Sequence, residues 1–260
     1  LTVDTLGALR LQRRAIETWI RLTATASPGG FVVEAGDVLA GVVPVCPRRS
    51  LVNSAVHRGA AGLADALPEL ARTYADSGVR AAAMWTIEPD PEAEGLLEAN
   101  GYRFDGEPAA MFLDLGELAP IDPGDLVWDT AVEPEEVGRV NDRAYGYPEG
   151  EGFTPAMGEA PPEFGVRSYR ARVGGRTASV LQTIDIGSDC MISLVATLPE
   201  HRGERLASRL LGVALVEAAE RGLETSTLQA SMLGRGVYQR LGYETIGQLR
   251  LHERRVGSNS

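Results

Sequence analysis

An α/β fold built as two halves of like order is predicted by three observations. Short matches recur in the same order at nearly constant spacing. Ser50-Leu51-Val52 returns as Ser193-Leu194-Val195, His57-Arg58-Gly59 as His201-Arg202-Gly203, and Gly101-Tyr102 as Gly242-Tyr243, at offsets of 143, 144 and 141. Helix-like and strand-like runs alternate in both halves. Between them, residues 116–125 are rich in Pro, Gly and Asp and read as a linker. The predicted division is a first domain over 1–118, a linker over 119–125 and a second domain over 126–260.

In the first half, residues 6–22 place Leu6, Leu9, Ile16, Trp19 and Ile20 at helical spacing. Runs 30–35 and 38–45 are strand-like and are joined by Gly36-Asp37, a hairpin signal. Run 50–56 reads as a strand, 60–77 as a helix ended by Gly78, and 79–87 as an apolar strand. A short helix over 92–100 is stopped by Gly101, and 109–114 reads as the strand that closes the half. The order then repeats. Run 126–130 is a strand, and 134–145 a helix with Pro at its start. After a Gly/Pro/Glu loop over 146–165, strands 166–173 and 176–186 flank Gly174-Gly175. Strand 191–198, helix 203–221, strand 223–230, short helix 234–241 and strand 245–252 complete the chain.

Composition narrows the function classes. The chain has 260 residues, 44% of them apolar and 23% charged, as in ordinary globular proteins. All 25 basic residues are Arg. Without Lys there is no Schiff-base chemistry, pyridoxal-phosphate site or Gly-Lys-Ser/Thr phosphate loop. A formal charge of −11 argues against nucleic acid and anionic membranes as partners, since both need a basic footprint. Cys46 and Cys190 make no disulfide framework, and His57, His201 and His252 are too scattered to suggest a metal cluster, so no metal is expected. No run approaches the about 18 apolar residues of a membrane span, and the expected location is the cytoplasm.

The informative stretch is 192–211. An apolar strand runs into Pro199, then a short turn, then a helix whose first residues include Gly203, Ala207 and Ser208. Free backbone N–H groups at such a helix start bind anions, and Arg202, Arg205 and Arg209 add positive charge. A pyrophosphate is the natural guest. With Leu228-Gln229-Ala230-Ser231 and Gly236-Val237-Tyr238-Gln239-Arg240-Leu241-Gly242-Tyr243, this stretch resembles the GNAT superfamily of acyl-CoA N-acyltransferases over about residues 126–252. The family turn, Gln/Arg-x-x-Gly-x-Gly/Ala, is met at Arg202 and Ala207, while Arg205 stands where Gly is usual. The later signature, Tyr-x-x-x-Gly-Phe/Tyr, is met by Tyr238–Tyr243 in full. The first half resembles the same fold in degenerate form. Its segment Arg49-Ser50-Leu51-Val52-Asn53-Ser54 is similar to one in the N-terminal halves of some bacterial tandem members. Leu97 stands where Tyr238 stands in the second half, so the first half is read as catalytically silent.

The resemblance implies two tandem domains, each a mixed, mostly antiparallel sheet flanked by helices. It also implies acetyl-CoA as co-substrate and direct attack of an amine on its thioester. The CoA-binding residues implied are Val195, Ala196 and Thr197 for the pantetheine arm, Arg202, Gly203, Glu204, Arg205, Leu206, Ala207 and Ser208 for the pyrophosphate, and Ser231 beyond the next strand. Tyr238 is the implied acid, because a phenol can protonate the departing thiolate at neutral pH.

A base for the incoming amine is not readable. Asp185, Asp189, Glu200 and the loop acids Glu149, Glu151, Glu159 and Glu163 are candidates beside plain solvent. The expected acceptor is a small-molecule or peptide amine, and the expected assembly is a monomer or homodimer. A CoA-binding protein without turnover and a mycothiol-synthase-like tandem transferase stand as alternatives.

Overall fold

The computed structural model describes residues 4–119, 121–232 and 234–257. Of the expected division, residues 1–3, 120, 233 and 258–260 lie outside the described residues. The first half contains α1 (Thr5–Ala26), β1 (Phe31–Ala35), β2 (Val38–Val42), β3 (Ser54–His57), α2 (Ala60–Asp76), β4 (Ala81–Thr86), α3 (Pro91–Ala99), β5 (Arg103–Gly106) and β6 (Ala109–Asp114). The second contains β7 (Val127–Asp129), α4 (Pro134–Tyr145), β8 (Val166–Val173), β9 (Arg176–Ile186), β10 (Asp189–Thr197), α5 (Leu206–Glu220), β11 (Thr225–Ala230), α6 (Arg235–Gln239), β12 (Glu244–Gln248) and β13 (Arg250–Arg255).

Local chemistry explains most boundaries. The Asp4 carboxylate accepts from the Gly7 N–H at 2.7 Å and caps α1, and Asp90 does the same for α3 through Ala93 at 3.0 Å. Pro134 opens α4, and Gly146 closes it at φ +73°, a conformation that favours glycine. Three elements differ from expectation. Residues 50–53 form a turn, so the strand there is only Ser54–His57. The short strand β5 has no apolar alternation and went unread. The last expected strand is two strands, β12 and β13, broken at Leu249.

The larger difference lies in the sheets. The first has the order β1-β2-β3-β4-β13-β5, and the second β12-β6-β11-β10-β9-β8-β7. The strand expected to close the first half, β6, therefore sits in the second sheet. It runs antiparallel to β11 from Ala109↔Ala230 to Asp114↔Thr225. In return β13 enters the first sheet, antiparallel to β4 from Arg250↔Thr86 to Arg255↔Ala81. The two excursions cross where the Leu249 N–H donates to the Pro108 carbonyl at 3.0 Å. Periodicity along a strand reports which face is buried, not which half it joins, so this exchange is invisible to local reading.

Helix α1 fills the space between the sheets. Ile16 and Ile20 pack with Leu39, Val56, Ala83 and Trp85 of the first sheet and with Ala110, Leu249 and Leu251 at the crossing. Ala15 and Leu22 pack against Ile184, Ile186 and Met191 of the second. The fully buried Gln12 amide donates to the carbonyls of Met111 (2.7 Å) and Leu228 (3.2 Å), which face each other across β6 and β11. No helix among the described residues is long and apolar enough to cross a membrane.

Leu249 is fully buried at the crossing, so Leu249→Ala is expected to cost about 2–4 kcal/mol. Because each sheet contains a strand of the other half, scanning calorimetry of wild type and variant should show one unfolding transition; two separable transitions would contradict the shared core.

Candidate active site

The site begins where two parallel strands part. β10 and β11 pair only over Asp189–Met191 and Thr225–Thr227. This base of the wedge is pinned by the buried Asp189 carboxylate, which accepts from Thr225 Oγ1 (2.7 Å) and Thr227 Oγ1 (2.6 Å). Beyond it the strands diverge, and the β10 register with β9 slips between Ser193 and Ala196. Leu194 lies there at φ +49°, a bulge that bends the strand away from β11. The stretch Val195–Thr197 thus presents an edge inside a sheet, a position where an extended amide chain could be paired.

The end of β10 leads through residues 199–205 into α5. Gly203 has φ +87° and Arg205 φ +59°. Arg205 keeps the left-handed backbone that the usual glycine would adopt, although the residue type differs. No side chain caps α5, so its first N–H groups remain available to an anion. A cleft of about 710 Å³ lies over this helix start, bounded by Thr197, Gly203, Arg205, Ala207, Ser208 and Val237. Arg202 and Leu206 also border it. The Arg202 guanidinium donates to the Ala144 carbonyl, which fixes it at the C-terminus of α4. Glu204 does not border the cleft; its carboxylate meets His201 Nδ1 at 3.2 Å. Arg209, expected to add charge to the turn, instead holds the linker through the Pro123 carbonyl and Asp125 (2.6 Å). The Pro123 carbonyl and the Asp125 carboxylate together hold the guanidinium on the linker, while the turn's own carboxylates, Glu200 and Glu204, are taken by Arg143 and His201.

A second cavity, of about 340 Å³, continues along the same elements. Val195 borders it where Thr197 borders the first, and Tyr238 where Val237 does. Ser231 is here too, with its hydroxyl accepting from the Gly234 N–H at 3.3 Å. Tyr238 stacks edge-on against Tyr243 with centroids 6.0 Å apart. Burial, with the nearby Tyr145 phenol second, pushes the Tyr238 phenol above its ordinary range, so it stays protonated at neutral pH. The Tyr145 hydroxyl donates to the Val195 carbonyl at 3.2 Å.

The walls of this cavity come from both halves. Trp19 of α1, with Arg49, Leu51 and Trp85, faces Tyr145, Tyr147 and Phe153. Local sequence assigns these first-half side chains no site role, because what they face lies in the second half. The loop bearing Tyr147 and Phe153 is shaped by the buried Asp142, which accepts from the N–H groups of Phe153 (2.6 Å) and Thr154 (2.9 Å). None of the expected base candidates borders the cavity. Asp185 pairs with Arg221 at 2.9 Å and Glu200 with Arg143 at 3.0 Å. Asp189 serves the wedge, Glu159 lines a different cleft, and Glu149, Glu151 and Glu163 are exposed. Both cysteines are buried as thiols: burial, then Asp142, raises Cys46 to about 11, and burial raises Cys190 further. Neither is a nucleophile at neutral pH. Among the described residues no group of side chains could hold a metal ion.

Comparison with known proteins agrees with this geometry. The family model described as an acetyltransferase (GNAT) domain matches residues 190–246, from β10 to β12. A GCN5-related N-acetyltransferase from Kribbella flavida superposes with a TM-score of 0.69 at 19% identity, over 97% of each chain. A tandem GNAT protein from the clavulanic acid biosynthesis pathway gives 0.55 at 14%, over 100% of this chain and 98% of that one. A GCN5-related N-acetyltransferase from Sphaerobacter thermophilus gives 0.54 at 19%, over 86% and 83%. No curated protein sequence matches. Two mixed sheets flanked by helices, the second opened beside a helix start, make the fold of the acyl-CoA N-acyltransferases. The chain has this fold twice in tandem, and the stretch 190–246 of its second half matches the GNAT domain model.

The left-handed Arg205 carries strain of about 1–2 kcal/mol that glycine would not. Arg205→Gly, offset in part by chain entropy, is expected to leave stability unchanged or to raise it by up to about 1 kcal/mol. Arg205→Val, β-branched at positive φ, should lose about 1–2 kcal/mol. Urea midpoints for the two variants check both shifts; a Gly variant less stable than wild type would show that the Arg205 side chain, not its backbone, matters to the fold.

Proposed function

We propose that the chain transfers an acetyl group from acetyl-CoA to a primary amine of a small molecule or peptide by direct attack. The observation that carries this reading is the convergence of the parted β10 edge, the uncapped start of α5 and Tyr238 at adjoining cavities. The helix start and Arg205 fit a pyrophosphate, and the edge at Val195–Thr197 fits the amides of a pantetheine arm. Acetyl-CoA held there supplies an activated acyl thioester. The remaining work falls to the protein. Backbone N–H groups at the bulge polarise the thioester carbonyl. The amine nitrogen bonds to the acyl carbon as the carbon–sulfur bond breaks, and the Tyr238 phenol gives its proton to the departing sulfur. Burial disfavours phenolate and thiolate alike, so the transfer between them stays near balance inside the cavity. The acylated nitrogen sheds its surplus proton to water, and water returns one to the phenol, so the cycle closes.

Among the described residues that border the second cavity there is no carboxylate or imidazole, so in this reading the amine loses its proton to water. The apolar and aromatic walls favour the neutral amine, which is the nucleophile.

Isothermal titration should give one equivalent of acetyl-CoA per chain, and CoA release against an amine panel should reveal turnover. Absence of binding would end the proposal. Tyr238→Phe keeps the ring and removes the acid. It should lower kcat by about 10²–10⁴ with acetyl-CoA affinity and thermal midpoint nearly unchanged; near wild-type turnover would leave solvent as the proton source.

The pH profile carries a second test. Without a protein base, kcat/KM should rise about tenfold per pH unit below the amine's own pKa and level off above it. The raised Tyr238 pKa removes any fall from phenol ionisation until strongly alkaline pH. Two amines of different pKa should therefore show different inflections, whereas a shared inflection would reveal a titrating residue of the protein.

A further inference from the structure

We propose that the second cavity takes an amine that also carries a carboxylate, with an apolar or aromatic body, and that Arg49 of the first half binds the carboxylate. The inference rests on the acyltransferase reading and deepens it.

Arg49 is held by aromatic rings rather than by a salt bridge, the Asp105 carboxylate acting on it only from a distance. Its guanidinium stacks over the Tyr147 ring at 3.9 Å and the Phe153 ring at 4.7 Å and donates to the Tyr147 hydroxyl. Among the described residues it has no carboxylate partner, and its Nε is buried without an acceptor. Glu253 on the neighbouring β13 is already taken by Arg255 and Ser50, each at 2.5 Å. The position is rigid. The fully buried Asn53 accepts from the Val43 N–H at 2.7 Å and donates to the carbonyls of Cys46 (2.8 Å) and Arg49 itself (3.1 Å).

Arg49 is not alone. Trp85 Nε1, Asn141 Oδ1 and Ser193 Oγ are also buried without partners, and all three residues border the same cavity. Trp85 and Asn141 are 7% and 3% exposed, so water reaches them poorly and a ligand is the natural partner. Arg and Trp side chains only donate. Two donor-only groups from the first half, one of them charged, call for an acceptor-only anion, and the planar fork of Arg suits a carboxylate. Ser193 and the Val195 edge lie on β10, where the amine must meet the acyl group. Trp19, Leu51 and Phe153 supply apolar wall between, and about 340 Å³ admits a molecule of amino-acid size. In a protein of net charge −11, this half-buried cation at the cavity wall is a local reversal of sign.

The test compares 3-phenylpropanoate with 3-phenylpropanamide, binding to protein saturated with CoA, by isothermal titration. The acid is expected to bind at least about tenfold more tightly than the amide. Arg49→Gln should erase that preference and leave the amide within about threefold of wild type, while Arg49→Lys, a cation without the fork, should keep part of it. The proposal is overturned if wild type binds acid and amide alike, if it binds neither at millimolar concentration, or if Arg49→Gln weakens both equally, as a purely structural Arg would. Tighter binding of 2-phenylethyl phosphate than of the acid, lost in the same variant, would reassign the site to phosphate. If CoA itself gives no heat, the acyltransferase reading has failed; the acid–amide comparison then runs without CoA and still decides the anion site.

Discussion

The structure depends on a crossing. At Leu249 and Pro108 two chain segments pass each other, and each delivers its last strand to the opposite sheet. Without β13 the first sheet would have a gap between β4 and β5; without β6 the second would lose the strand between β11 and β12. Neither half can complete its hydrogen bonding alone, and unpaired buried backbone is expensive enough that the exchange amounts to a shared core. Helix α1 adds to the dependence, since it buries one set of side chains on each sheet.

That dependence gives the first half a structural purpose of its own. Leu97, which stands where Tyr238 stands in the second half, is fully buried in the core of α2 and α3. Yet α1, the Arg49 turn and Trp85 form one side of the cavity next to Tyr238. The division of labour follows from the geometry. The second half opens its own sheet beside a helix start, and the first half supplies one wall of the cavity next to Tyr238.

Much of this was legible in the residues. Helices with clear periodicity and punctuation, such as α2 before Gly78 and α4 between Pro134 and Gly146, lie within a residue or two of where the sequence puts them. The turn before α5 and the Tyr238–Tyr243 signature were readable because both depend on nearest neighbours in sequence. What could not be read depends on distant partners. Nothing in Ala109–Asp114 says that its ladder is with β11 rather than β4. Nothing in Arg209 says that Asp125 will capture it, away from the turn it seemed to serve. Arg49 belongs to the same class: its meaning comes from Tyr147 and Phe153, almost a hundred residues on, not from its neighbours.

The crossing also has a consequence in time. During synthesis the first half emerges with β4 complete, but β13, the strand that belongs beside it, lies about 160 residues further along the chain. At about 5–20 residues per second, Thr86 waits on the order of ten seconds or more for Arg250. Throughout that interval the slot between β4 and β5 is an open sheet edge, the kind that invites pairing with a neighbouring chain. The nascent protein thus carries an unpaired edge for as long as β13 is missing, and the chaperoning of that one slot decides whether it pairs within the chain or between chains.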